Sequence, residues 1–490
     1  MKKKGQFFSA ASITAVLAAA AVLPAAGAQK GWQQEGDKWV YLNSDGTKET
    51  SSWVKGGNGE RFYVDEDGYM AVNTIIKDGD DIYYVDEDGA RVRNQWVSEP
   101  NINSLCDQDV SVLWYYFGDD GKAVAGDNKS LKLNVNGEDR TYFFDGEGHM
   151  LSGWQKIPKK DGGYDTYYLG NENQGYVHSM WQYLEPDEEI LDNSEDNQYD
   201  GTEMFYFGWA NPSSTGENQI DGKWYLFDDN GVMLRGWQPG VIITGGHVGF
   251  NKYYDEVTGE RASGWLYAYG VGGRENEPFW FYLSEKNGTA YNEGGKDSDD
   301  RLAYKVIDGA TYFFDEQGHM ITGLISTEGK PLGSSECIEE KYTNLKGDIG
   351  KGTHKKPAGI YYLGMDDSNL GHLQTNKRIN VGTKNEPCYY FFDGSGRAYE
   401  NALVSGRIYG QDGIMLCSDD GWSILTVEED IYQAKDYSRG KLKEPDTAKP
   451  IIEAGTEVAI GESGIVKKDG SVKIGGTVYK IKNYVAEPED

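Results

Sequence analysis

Cysteine is scarce: the 490 residues hold four, Cys106, Cys337, Cys388 and Cys417. That count excludes a fold held together mainly by disulfides. None of the four stands in Cys-x-x-Cys spacing, which argues against structural zinc. Three pairings are open, and Cys388 with Cys417, flanking a single hairpin region, is one candidate. Histidine is equally thin. The six histidines form no metal-ligand spacing, and His149 and His319 recur at one place in a repeat, which points to packing. No Gly-x-Ser-x-Gly nucleophile motif occurs. Asp65-Glu66-Asp67-Gly68 and Asp86-Glu87-Asp88-Gly89 lack the twelve-residue calcium loop and its closing glutamate, so they read as turns. Among 79 acidic residues no carboxylate pair can be singled out for glycoside hydrolysis. No catalytic residue, metal or cofactor is expected, and the chain reads as non-enzymatic. Positive charge is also lacking. A net charge of −31 repels nucleic acid and anionic lipid, and it keeps an aromatic surface soluble. Proline stands at only 13 residues, which disfavours a Pro-rich disordered linker.

Long apolar runs are absent after the first residues, so no later stretch is expected to span a bilayer. Residues 1–28 read as a secretory signal. Lys2, Lys3 and Lys4 form the basic start, Phe7–Leu23 the apolar run, and Ala26-Gly27-Ala28 the small-residue cleavage site. The expected product is an exported protein with no membrane span once the signal is removed.

What is abundant is aromatic side chains, 13% of the chain, and glycine, 65 residues. They recur in one short stretch. Its cleanest copies are Tyr142-Phe143-Phe144-Asp145-Gly146-Glu147-Gly148-His149-Met150 and Tyr312-Phe313-Phe314-Asp315-Glu316-Gln317-Gly318-His319-Met320. An aromatic strand, a polar turn and a short return are expected, with Asp45-Gly46, Asp67-Gly68, Asp88-Gly89, Asp120-Gly121, Asn230-Gly231 and Asn287-Gly288 suited to type I′ turns. Lone hairpins are marginal in water, so the units must stack. Gly148, Gly231 and Gly259 each lead, six residues on, to Trp154, Trp237 and Trp265 of a Gly-Trp pair that opens the next unit. The fold class expected is all-β, a solenoid (superhelix) of stacked hairpin repeats with irregular loop insertions and a small C-terminal β module. Repeats are placed at residues 29–422. The module is placed at residues 423–490, with Ile424–Ser438 partly helical, Lys441–Lys449 a linker, and Ile465-Val466-Lys467 pairing Val472-Lys473. That module is small for a catalytic domain.

These motifs resemble the cell-wall-binding repeats of exported Gram-positive proteins, the choline-binding and glucan-binding type. The shared pattern is Gly-Trp, a spacer, Trp-x-Tyr, an Asp/Asn-Gly turn, then Met or Ala. The resemblance implies ligands held between consecutive hairpins of a solenoid. It also implies a choline site built as a cation–π box from the Gly-Trp tryptophan, the tryptophan opening the aromatic strand, and a tyrosine of the next hairpin. Trp32, Trp39 and Tyr63 match all three positions, with Met70 as a fourth wall. Trp53 with Tyr84 is the next candidate, but Arg61 stands where the second tryptophan belongs and would repel choline. Trp154, Trp237 and Trp265 are further candidates, as inter-repeat core or as rings that stack on sugars. The implied partners are cell-wall polysaccharide or teichoic-acid choline, and the implied place is the cell surface. A surface adhesin that binds a host or partner protein through its inserted loops is the alternative.

Overall fold

A computed structural model describes residues 30–102, 109–187, 201–208, 213–243, 247–270, 275–291, 303–314, 317–327, 342–345, 359–384, 386–438 and 441–489. The expected signal at residues 1–28, Cys106, Cys337 and most of the insertions at 185–201, 292–301 and 329–357 lie outside these residues. The chain divides into two compact units, Met1–Leu234 and Arg235–Asp490.

In both units the repeat is an antiparallel hairpin whose second strand is the aromatic one. Gly31–Glu35 pairs with Lys38–Leu42, Ser52–Lys55 with Arg61–Val64, and Gln95–Pro100 with Val112–Phe117. In the second unit Gly264–Tyr269 pairs with Pro278–Leu283 and Ala303–Ile307 with Ala310–Phe314. The strands alternate faces, and in most hairpins the last residue of the aromatic strand is fully buried. Val64, Val85, Phe117, Phe144 and Phe207 in the first unit, and Phe314, Leu363 and Phe392 in the second, are fully enclosed.

The turn after the aromatic strand differs from the expected type I′. Gly68, Gly89 and Gly148 donate to the carbonyls of Asp65, Asp86 and Asp145, closing a four-residue Asp-x-x-Gly turn at 3.0, 2.9 and 3.1 Å. Only the glycine is left-handed, at φ +80°, +77° and +81°, whereas Asp67 and Asp88 keep ordinary φ. The leading aspartate explains the choice: Asp145 Oδ1 accepts from the backbone N–H of both Glu147 and His149, at 2.9 and 2.8 Å. Type I′ turns occur instead between the two strands of a hairpin, at Asn136-Gly137, Asp221-Gly222 and Asp308-Gly309. The return after Asp-x-x-Gly shrinks to one bridge, such as Val64 to Met70, Val85 to Arg91 or Phe144 to Met150.

That post-turn residue fastens each hairpin to the one before it. Met70 N–H donates to the Trp39 carbonyl, Arg91 to Arg61, Met150 to Trp114 and, in the second unit, Met320 to Trp280, all at 2.7–2.8 Å. Stacked hairpins of this kind make the fold an all-β hairpin solenoid within each unit.

The C-terminal part of the second unit is aliphatic. Val427, Ile431, Ile452, Val458, Ile460 and Val466 form one cluster with Leu403 and Ile408 of the last aromatic-type hairpin. Of the partly helical character expected in Ile424–Ser438, only a 3-10 helix at Ala434–Asp436 forms, and Val427–Tyr432 is not helical. The segment forms Trp422–Thr426, Tyr432–Gln433, a 3-10 turn at Ala434–Asp436, and Tyr437–Ser438. Val427 and Ile431 have helical spacing, but their N–H groups are claimed by the Thr456 and Ile452 carbonyls, so tertiary partners win. Val472-Lys473 pairs with Val478-Tyr479 across Gly475-Gly476, while Ile465 and Val466 bridge Arg407 and Ile460. Cys388 and Cys417 sit in different clusters and are not joined to each other.

Candidate functional site

The faces between successive hairpins carry a recurring aromatic constellation. A tryptophan on the first strand stands opposite the tyrosine of its own aromatic strand, and a ring of the next hairpin closes over it. Trp96 is the fullest case. Its ring lies 5.2 Å from Tyr116, 6.5 Å from Trp114 at 81°, and 4.9 Å from Tyr142 of the next hairpin. Trp265 repeats the arrangement in the second unit: 5.2 Å to Tyr282, 6.2 Å to Trp280 at 88°, and 4.7 Å to Tyr312. Met150 and Met320, the post-turn residues, pack against these two clusters.

Register explains why the parts meet. Residues directly opposite share a face, so Trp96 and Tyr116 with Ser98 and Trp114 line one face, and Trp265 and Tyr282 with Tyr267 and Trp280 another. The ring from the next hairpin comes from the opposite face of that hairpin's aromatic strand, one position earlier in the repeat.

The same rule places the residues singled out by sequence. Trp32 faces Tyr41 at 5.4 Å, and Trp39 lies diagonally on the same face, opposite Gln34. The next hairpin contributes Phe62 to Trp32, at 5.5 Å, whereas Tyr63 turns to the other side and meets Trp53 at 5.2 Å. Trp53 is in turn closed by Tyr83 at 5.0 Å. Tyr84 points the opposite way, packs near Phe117, and donates its hydroxyl to Asn73 Oδ1 at 2.6 Å. Met70 is the post-turn residue whose N–H bonds the Trp39 carbonyl. Trp154 is buried among Phe205, Phe207 and Val232, with its indole N–H on the Glu185 carbonyl at 3.0 Å. Trp237, half-buried, meets Tyr253 at 5.2 Å and Phe281 at 4.5 Å. Sequence reasoning missed Trp96, Trp114, Trp181 and Trp280. Trp96 follows Gln95 rather than glycine, but Trp114-Tyr115-Tyr116 and Trp280-Phe281-Tyr282 carry the Trp-x-Tyr signal.

Burial pushes the phenols of Tyr116, Tyr142 and Tyr312 above their ordinary values, Arg140 partly offsetting this for Tyr142. Burial, with Glu99 nearby, pushes Tyr84 up to about 12. The tyrosine walls are therefore neutral near pH 7. Perpendicular electron-rich ring faces around one point can hold a cation by its attraction to the ring quadrupoles.

Basic side chains treat the clusters unequally. The Arg91 guanidinium stands 5.6 Å from the Trp53 ring and 5.5 Å from Tyr83. Lys305 Nζ lies over Tyr282 and Tyr291, at 5.0 and 4.6 Å. Arg140 covers Tyr176 at 4.2 Å. Among the described residues, no Lys or Arg stands over Trp32 or Trp96. Nor does any group of three or more His, Cys, Asp or Glu there suit a metal ion, and no helix there is long and apolar enough to cross a membrane.

The repeats define a recognisable class. Residues 58–90 and 214–265 match profiles of the choline-binding repeat, and residues 30–48 match a putative cell wall binding repeat. The chain thus carries cell-wall-binding repeats of the choline-binding type. Glucosyltransferase-S of Streptococcus mutans serotype c is 29% identical over 45% of this chain and 14% of its own length. Glucosyltransferase-I of Streptococcus downei is 25% identical over 79% of this chain and 21% of its own. The chain therefore spans a minor share of these curated relatives. Choline binding protein F of Streptococcus pneumoniae aligns at 18% identity over 79% of this chain and 98% of that one, with a TM-score of 0.31.

Proposed function

We propose that this chain is an exported, non-catalytic cell-wall-binding protein that holds choline-bearing polymer in aromatic boxes between its hairpins. The observation that carries the reading is the paired-tryptophan box at Trp96–Trp114, whose geometry recurs at Trp265–Trp280, where Lys305 lies over the Tyr282 wall. Rings set at 81° and 88° enclose a compact quaternary ammonium better than a flat sugar, which needs one open ring face. The matched repeat profiles support the same ligand. Each site is weak alone, and repetition along a polymer raises retention through effective concentration. Residues 29–422 serve in this reading as the binding array and residues 423–490 as its cap, which the core shared with Leu403 and Ile408 supports.

A second reading, glucan binding, draws on one particular face. Trp265, Tyr267 and Tyr269 alternate along one strand, and Tyr267 and Tyr269 are 57% and 63% exposed. Such a flat strip suits stacking on successive sugar rings. The alternative of protein binding through inserted loops rests on segments mostly outside the described residues.

The test is retention of the chain without residues 1–28 on choline-bearing cell wall, eluted separately with choline and with soluble glucan. Choline is expected to elute it, and Trp96→Ala to weaken retention. Elution by glucan alone would transfer the function to the Tyr267–Tyr269 strip. No retention on wall would sink wall binding altogether.

A further inference from the structure

The Trp53 box is built like its neighbours but carries a different post-turn residue. Its walls are Trp53, Tyr63 of the same hairpin and Tyr83 of the next, with ring centroids 5.2 and 5.0 Å from Trp53. Where the Trp96 and Trp265 boxes have Met150 and Met320, this one has Arg91, fixed by its N–H bond to the Arg61 carbonyl at 2.8 Å. The guanidinium spans Trp53 and Tyr83 at 5.6 and 5.5 Å. The following turn covers its stem: a Cβ on Gly121 would come 2.7 Å from Arg91 Nε. That Nε is buried with no hydrogen-bond partner among the described residues. A partly buried guanidinium with one unused donor gains from the ring faces beside it.

We propose that Arg91 is the resident cation of the Trp53 box, closing it to external quaternary ammonium and setting how many boxes of the array take ligand. This rests on the reading that the boxes accept choline. Arg91 and the ligand compete for the same ring faces. Arg61, at the position where Trp39 and Trp114 stand in the neighbouring boxes, removes the fourth ring and adds a second positive charge nearby. Methionine at position 91 would restore the wall found in the other boxes and remove the competing charge.

The test is choline bound per full chain, measured by equilibrium dialysis, for wild type, Trp53→Ala, Arg91→Met, Arg91→Met with Trp53→Ala, and Arg93→Met. Arg93 pairs with Glu60 at 3.7 Å and controls for the loss of one positive charge. Arg91→Met is expected to bind one more choline than wild type, the added Trp53→Ala to remove it, and Arg93→Met to gain none. Circular dichroism of each variant reports whether the hairpins still form. Binding by wild type with no gain in folded Arg91→Met would overturn the inference and leave the choline reading standing. A gain in Arg91→Met over a wild type that binds none would keep the inference and overturn the choline reading for the other boxes. Loss of a choline on Trp53→Ala in wild type would show the box already open and overturn the inference.

Discussion

Two neighbouring seams of the first unit use the same hairpin geometry with different side chains. Between the Thr74–Val85 hairpin and the next, Ile75 and Ile82 replace the two tryptophans and pack with Val92, Leu113 and Val97 into a mainly aliphatic core. One hairpin further on, Trp96 and Trp114 fill those places. The stack is continuous through both, with the cross-hairpin bonds of Ala123 to Ile82 and Met150 to Trp114 at 2.7 and 2.8 Å. Isoleucine therefore suffices to join hairpins. Tryptophan at the Trp96 seam adds perpendicular ring faces that stacking alone does not need.

The two seams should respond differently to mutation. Phe117→Ala, at a fully buried ring of the aliphatic seam, should destabilise the first unit by about 3–5 kcal/mol, read as a lower urea midpoint. Choline retention by molecules still folded should be unchanged. Trp114→Ala should do the reverse. It should weaken choline binding at its box roughly tenfold, about 1.4 kcal/mol, by titration, and lower the urea midpoint less than Phe117→Ala. Equal stability losses in the two variants would mean that the tryptophans are mainly core.

A smaller effect is expected where His178 packs between tyrosine rings. His178 stacks on Tyr176 at 4.9 Å and 9°, and meets Tyr168 edge-on. Burial holds its imidazole below the ordinary 6.5, the Gln182 hydrogen bond partly opposing and Arg140 adding to the shift. The unfolded chain thus takes up a proton near pH 6.5 that the folded chain refuses until lower pH. Stability is full above about 6.5 and falls as pH drops through that value towards the depressed one. His178→Gln should flatten this part of the pH profile by a fraction of a kcal/mol in urea titrations at about pH 7.5 and 5.5. An unchanged slope would remove His178 as its source.

The hairpin repeat was legible because its signals are local. An aspartate that caps two N–H groups and a glycine at φ near +80° are fixed within five residues, as at Asp145 to Gly148. The box was less legible because its closing wall comes from another hairpin. Along a strand, one step in sequence exchanges faces, so choosing Tyr63 for Trp32 instead of Phe62, or Tyr84 for Trp53 instead of Tyr83, selects the wrong side. Nothing within either hairpin states which side meets the neighbour. Trp96 escaped notice for a simpler reason: Gln95 replaces the glycine expected before it. The aliphatic core around Val427 and Ile431 was misread because its hydrogen-bond partners lie more than twenty residues away.

The bond from each post-turn N–H to the preceding hairpin also sets how the chain would yield to a pull. The stack is a series of like fasteners, each joining a hairpin only to its neighbour, so a pull on one end would load them one after another. Between Met70 and Arg91 the fasteners are one hairpin apart, and the roughly 21 residues released would lengthen the chain by about 70 Å. Under the proposed binding at several boxes, the protein would then lose its hold in steps. It would pay out slack under shear while the remaining boxes stay engaged.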